Sequence, residues 1–249
     1  MNPLLTINNL SKVYHDTNGE IIAIKNINFN IMEKEFISII GPSGCGKSTL
    51  LSILSKLETK TSGNIKFNKD NIKIGYMLQT DSLFPWRTIL DNCLLGLEIK
   101  KELNEENKLF VITLLKKYGL GEFMNKYPDS LSGGMRQRAA LIRMLATKPD
   151  ILLLDEPLSA LDYQTRLALS DDLFKIIKEE GKTAIMVTHD LAEAISMSDK
   201  IVVLTKRPSE IKVIHDIKLT NKSNPITNRK AKEFANYYDL LWKDLDIHV

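Results

Sequence analysis

The sequence predicts an α/β fold: a parallel-sheet core with helical crossovers, preceded by an antiparallel β subdomain and interrupted by an inserted helical subdomain. Three observations predict it. Short apolar runs alternate with helical patterns on both sides of a charged, helix-rich middle, as a doubly layered α/β unit requires. A glycine-rich loop follows a compact apolar run and opens a helix. The first residues repeat apolar positions at strand period.

Taken in order, residues 4–10, 21–24 and 27–31 alternate apolar and polar positions and predict the N-terminal antiparallel sheet. Phe36–Ile40 is a buried-type strand leading into the glycine-rich residues 41–49, after which Leu50, Leu51, Ile53, Leu54 and Leu57 fall at helical spacing. Short strands follow at 65–67 and 74–78. From Thr88 to about Leu145 the sequence turns charged and amphipathic, predicting the helical subdomain. The β/α alternation then resumes, with strands at 151–154, Thr183–Val187 and 201–204 and helices at Tyr163–Glu179 and Leu191–Met197. Beyond Pro225 a loop and an amphipathic terminal helix reach Trp242. The expected division is one domain over 1–249, with 1–79 and 146–249 as the α/β core with its antiparallel part and 80–145 as the helical part.

Composition narrows the functional class. The 249 residues, 43% hydrophobic and 26% charged, match a globular protein with a sizeable core. A net charge of +3 with scattered lysines argues against nucleic acid as the main partner. Cys45 and Cys93 have neither pairing nor zinc-like spacing, and no leader pattern opens the chain, so a reducing, cytoplasmic setting is expected. No run of about eighteen apolar residues is present, so any membrane role is expected to come through a partner.

The chemistry is concentrated in short motifs. Gly41-Pro42-Ser43-Gly44-Cys45-Gly46-Lys47-Ser48 fits the phosphate-loop pattern of P-loop NTPases, in which backbone N–H groups wrap phosphates and the lysine reaches their outer oxygens. Ser48 is placed to ligate Mg²⁺, Thr49 to assist at the α-phosphate, and the helix start adds positive potential. Asp155 and Glu156 end the apolar run 151–154. Neighbours on a strand face opposite ways, so the two acids are expected to take different roles: as in other phosphate-loop NTPases, Asp155 would hold Mg²⁺, while Glu156 can face the attacking water as general base or water-orienting group. His189 ends the next strand, where Asp190-Leu191-Ala192-Glu193 resembles a capping box. At that sheet end it can contact the γ-phosphate or support Glu156. Leu131-Ser132-Gly133-Gly134-Met135-Arg136-Gln137-Arg138 opens a second helix, with Ser132 as cap and two glycines exposing backbone N–H groups.

Together these motifs resemble the ATP-binding-cassette (ABC) family over residues 4 to 215, in particular its nitrate, sulfonate and taurine importer branch. The resemblance implies an ATPase using ATP and Mg²⁺, in which Ser132, Gly133 and Gly134 complete the site of a second copy. It also implies that Tyr14 stacks on adenine, that Gln79 lies near Mg²⁺ and water, and that Ser159-Ala160-Leu161-Asp162 is the loop crossing to that copy. Tyr14 alone would be read as core, Asp162 as a helix cap and Gln79 as a strand end. Two departures are visible: the stretch between Gly63 and Gln79 is short, and Ile142-Arg143-Met144 replaces an alanine-flanked arginine.

Leu83-Phe84-Pro85-Trp86-Arg87-Thr88 resembles the importer segment beside the membrane subunit, although Phe84 and Trp86 fit a core equally well. The implied partners are transmembrane permease subunits and, indirectly, an extracytoplasmic solute-binding protein, with the chain held at the cytoplasmic membrane face. A cassette for thiamine-precursor pyrimidines and a soluble non-transport cassette remain alternatives.

Overall fold

The computed structural model describes residues 2–16, 19–159 and 161–245. In chain order the elements are β1 (Leu5–Asp16), β2 (Gly19–Ile31), β3 (Phe36–Ile40), α1 (Lys47–Leu54), β4 (Ser62–Phe67), β5 (Ile74–Met77), α2 (Ile89–Ile99), α3 (Glu105–Lys117), α4 (Gly133–Ala146), β6 (Ile151–Asp155), α5 (Tyr163–Glu179), β7 (Thr183–Val187), α6 (Leu191–Met197), β8 (Lys200–Leu204), β9 (Ile211–Asp216), α7 (Pro225–Asn228) and α8 (Phe234–Asp244).

The first sheet is three-stranded and antiparallel, ordered β2-β1-β4. Leu5, Ile7 and Leu10 bury one face of β1, and Ile27, Phe29 and Ile31 that of β2. The register shifts between Ile7 and Leu10, where Asn9 takes φ 50°, a left-handed conformation that asparagine tolerates. Opposite that bulge stands Gly63, at φ +87°, where an added Cβ would lie 2.3 Å from the Asn9 carbonyl oxygen. Only glycine fits there.

The second sheet is six-stranded, ordered β5-β6-β7-β3-β8-β9. Its first five strands run parallel, and β3 and β7 are buried at every position, as strands covered on both faces must be. The sixth, β9, pairs antiparallel to β8 and closes the edge. The sequence pattern predicts no strand there. The segment Ile-Lys-Val-Ile-His-Asp alternates half-buried with exposed positions, a weak signal beside the mainly apolar, fully buried runs of the centre.

The middle of the chain folds as α2, α3 and α4. Thr88, Asn104 and Ser132 each cap one of these helices by accepting a backbone N–H three residues on. Ile89, Cys93, Leu97, Val111, Leu115, Ile142 and Leu145 pack together and continue into Leu152, Leu154, Ala184 and Met186 under the large sheet. On the other side, Leu241 of α8 seats against Leu191, Ala194 and Ile195 of α6. Among the described residues no helix is long and apolar enough to cross a membrane.

Candidate functional site

Strands β3, β6 and β7 are neighbours in the sheet, so their C-terminal ends lie side by side, the place where open parallel sheets bind ligands. From β3 the chain enters the glycine loop. Gly44 at φ +71° and Gly46 at φ +109° supply its left-handed turns. Gly41 has no room for a side chain: a Cβ would lie 2.9 Å from the Cys45 sulfur and 3.1 Å from the Leu204 carbonyl oxygen. Cys45 is buried there as a small space-filling residue. Helix α1 begins at Lys47 with no acidic residue in its first turn, so nothing opposes the positive end of its dipole.

Lys47 is 7% exposed, and its ammonium donates to the carbonyls of Gly41 at 2.9 Å and Pro42 at 3.0 Å. Among the described residues no carboxylate forms an ion pair with it, leaving a nearly buried ammonium held by two backbone carbonyls inside the glycine loop. That is the electrostatic requirement of a phosphate site.

Asp155, at the end of β6, accepts the Ser48 hydroxyl at 3.0 Å on Oδ1 and the Tyr76 phenol at 3.1 Å on Oδ2. Burial pushes its carboxyl above the usual range, against the two hydrogen bonds, with the Glu156 charge adding to the rise. The Tyr76 phenol is pushed up to about 12 by burial and by the Asp155 charge, so it remains a donor. Ser48 Oγ and the Asp155 carboxylate form a compact set of hard oxygens beside the phosphate loop. This suits Mg²⁺, which takes one or two protein oxygens and completes its shell with phosphate and water.

Glu156 turns away from Asp155. It adopts φ 47°, unusual for a residue with a side chain, while its N–H donates to Val187 O at 2.9 Å. Its Oε2 lies 3.2 Å from Nδ1 of His189, an exposed ring just past β7. Gln79 donates to Ser159 Oγ at 3.1 Å, and Ser159 in turn donates to the Glu156 carbonyl at 3.0 Å. Gln79 therefore touches the backbone of the Glu156 turn through one hydroxyl.

A cavity of about 560 Å³ is lined by Gly41, residues 43–49, Glu156, His189 and Arg207, while Asp155 and Gln79 are not among its lining residues. Arg207 has no motif in the sequence. It lies between β8 and β9 and donates to Gly44 O at 2.7 Å, adding a cation to the rim. Tyr76 likewise belongs to no motif. Its one signal is the alternation along β5, which sets it between buried Gly75 and Met77.

Other sequence-predicted residues stand apart from this cavity. Pro42 lines an adjoining cleft that also touches His189. Tyr14 is half-buried on β1, with the Lys12 ammonium 4.7 Å over its ring. Ser132 caps α4. A Cβ added at Gly133 would meet Leu161 at 3.2 Å, and one added at Gly134 would meet Thr165 at 3.5 Å, so this loop packs on the start of α5. Asp162 caps α5 by accepting the Thr165 N–H at 3.0 Å, and hydrogen bonds from Thr165 hold its carboxyl below the usual range. Ala160 lies outside the described residues.

Comparison with known proteins identifies relatives over most of the chain. The family model described as ABC transporter covers residues 24–159. The uncharacterized ABC transporter ATP-binding protein YtlC of Bacillus subtilis is 44% identical over 97% of this chain and 95% of its own length. The aliphatic sulfonates import ATP-binding protein SsuB of Bacillus thuringiensis is 37% identical over 92% of this chain and 91% of its own. A solved dimeric, post-hydrolysis state of the ATP-binding cassette MJ0796 bound to ADP and Pi superposes with a TM-score of 0.73 at 35% identity. That match covers 86% of this chain and 99% of the other.

Proposed function

This chain belongs to the ABC transporter family as an ATP-hydrolysing subunit, and from that premise we propose that two copies close head to tail over two nucleotides to drive import of a small anion through a membrane permease.

The carrying observation is a division of the motifs. The phosphate loop, Glu156 and His189 line one cavity, whereas Ser132, Gly133 and Gly134 do not line it, and the two glycines lie against Leu161 and Thr165 at the start of α5. A site that needs both groups is completed by a second molecule, and the solved relative in its ADP-bound state is a dimer.

Within each site Lys47 and the loop N–H groups bind the β- and γ-phosphates of ATP, and Arg207 adds positive potential at the rim. Tyr14 is assigned to the adenine, and Thr49 to the α-phosphate. Ser48 and Asp155 hold Mg²⁺ with Gln79 nearby, and the ion when bound neutralises charge on the phosphate oxygens. Glu156 orients the attacking water and accepts its proton, while His189, at 3.2 Å from that carboxylate, keeps it aimed and faces the γ-phosphate. Hydrolysis then weakens the closed interface, which reopens.

Residues 80–145 are assigned as the lobe that meets the permease at the cytoplasmic membrane face. Trp86 is 71% exposed, with its ring 5.0 Å from that of Phe84. Hydrogen bonds tie down the loop that carries it. Asn92 is fully buried, accepts the Phe84 N–H, and donates to the carbonyls of Phe84, Arg87 and Thr88. Arg143, the departure noted in the sequence, donates to the carbonyls of Asp81 and Ser82, both at 2.7 Å. A fixed, exposed aromatic suits insertion into a partner's groove. A sulfonate- or nitrate-type cargo is supported by this segment and by the full-length sulfonate-import relative.

The test is Glu156→Gln. The purified variant should bind ATP and sediment as a dimer at saturating ATP. A variant that binds ATP and remains monomeric would overturn the closed-pair reading.

A further inference from the structure

Behind His189 lies a buried polar frame. Glu193, on α6, is 3% exposed, and Thr188 is 2% exposed. The Thr188 hydroxyl donates to Glu193 Oε2 at 2.8 Å and accepts the Asp190 N–H at 3.0 Å. Asp190 Oδ1 accepts the Glu193 N–H at 3.0 Å, closing a ring of contacts around residues 188–193. This is not the reciprocal capping box that the sequence suggests. Asp190 caps the helix as expected, but the Glu193 side chain turns inward to the threonine instead of back to the cap's own N–H.

The frame reaches α5 through Arg166. Its Nη1 donates to Asp190 Oδ2 at 3.4 Å, its Nε lies 3.8 Å from Glu193 Oε1, and its Nη2 donates to Leu161 O at 3.0 Å. One guanidinium thereby links the His189 corner to the backbone of the 159–162 loop. The charged groups facing Glu193 are Asp190 from its own corner, Arg166 from α5 and Arg229 from the segment after α7.

Stability does not account for a carboxylate here. Burial, with the Asp190 charge, pushes its pKa up to about 7, despite the Thr188 hydrogen bond and the two arginines. Apolar side chains replacing buried ionic groups are often neutral or stabilising. The frame does, however, fix the backbone on both sides of His189, whose own ring is exposed and touches Glu156.

We propose that Glu193 and Arg166 are positioning residues for ATP hydrolysis, holding the Thr188–Asp190 corner so that His189 meets Glu156, and tying that corner to the loop ahead of α5. The proposal rests on Glu156 and His189 being the hydrolytic pair. Misplacing a catalytic group by about 1 Å can reduce a rate roughly a hundredfold, so loosening the frame acts on turnover and not on nucleotide affinity.

The experiment compares Thr188→Val, Arg166→Lys, Glu193→Gln and Glu193→Ala in the full chain, with His189→Ala as reference. It reads kcat and KM for ATP hydrolysis beside the thermal midpoint. Thr188→Val removes one hydroxyl at constant shape, and Arg166→Lys keeps the charge but cannot span its three partners. Both should lower kcat by about tenfold or more while KM moves by less than about twofold. Glu193→Gln, which retains an acceptor for Thr188, should lose less turnover than Glu193→Ala. Folded Thr188→Val and Arg166→Lys proteins with undiminished kcat would overturn the proposal. So would losses that merely follow a falling midpoint, the outcome of a structural role. An active His189→Ala would sink the assignment of the pair and the frame with it. An inactive His189→Ala beside normal frame variants would sink the frame alone.

Discussion

Replacing Glu193 by glutamine should make the protein more stable at pH 8 than the parent, and the advantage should fade as the pH falls to 5. The carboxyl titrates near 4.5 in an unfolded chain and near 7 in the fold. Between those values the folded chain holds a proton that the unfolded chain has released, so stability declines as pH rises through that window. Above pH 7 the penalty is complete. At ~1.4 kcal/mol per tenfold change in proton affinity it amounts to about 3 kcal/mol, an upper bound because Asp190 and the two arginines share the titration. Glutamine fills the same space and accepts from Thr188 without carrying charge. In a domain of this size about 3 kcal/mol corresponds to a midpoint shift on the order of 5–10 °C. Urea unfolding of parent and variant at pH 5, 6, 7 and 8 measures the difference directly, because other titrating groups largely cancel between them. A stability difference that stays flat across this range, or that favours the parent as pH rises, would refute the reasoning. Paired with the kinetics proposed for the same variant, the expected result is a protein that is more stable and slower.

Trp86→Ala should leave basal ATPase activity intact and weaken its stimulation by reconstituted permease, since the ring is solvent-exposed in the isolated chain; equal loss of both would place it in the catalytic fold. Gly63→Ala drives a Cβ to 2.3 Å from the Asn9 carbonyl at a positive φ and should destabilise the chain by about 2 kcal/mol or more, read as a lowered urea midpoint. Ser48→Ala removes the hydroxyl 3.0 Å from Asp155, and hydrolysis should then require several-fold more Mg²⁺ while nucleotide binding in EDTA is unchanged, as measured by a fluorescent ATP analogue.

The centre of the large sheet was legible because β3, β6 and β7 are buried almost throughout and read as mainly apolar runs, with Ser38 the one polar residue inside β3, and α5 because Asp162 marks its start. Edge strand β9 was not, since one solvated face dilutes its pattern. The site divides in the same way. Lys47, Ser48, Asp155, Glu156 and His189 lie within local motifs at strand ends, so a linear reading reaches them. Arg207 meets Gly44 across 163 positions and Tyr76 meets Asp155 across 79. Those contacts exist only after the strands are ordered. Glu193 shows why local patterns can mislead: its spacing from Asp190 signals a helix cap, and only packing shows that its carboxylate is directed to Thr188. Whether Trp86 was buried or exposed depended on how α2 and its preceding loop sit, which hydropathy alone does not encode.

In the proposed closed pair, each ATP site takes its phosphate loop from one copy and Ser132, Gly133 and Gly134 from another. Mixing two inactive variants tests it directly: Lys47→Ala, which disables the phosphate loop, and Ser132→Arg, which blocks the opposing helix start. Random pairing makes half the dimers mixed, each with one of two sites intact, so an equimolar mixture should recover about a quarter of the parental ATPase rate. A mixture as inactive as its components, with ATP binding by Ser132→Arg verified, or a Ser132→Arg protein active on its own, would contradict the account.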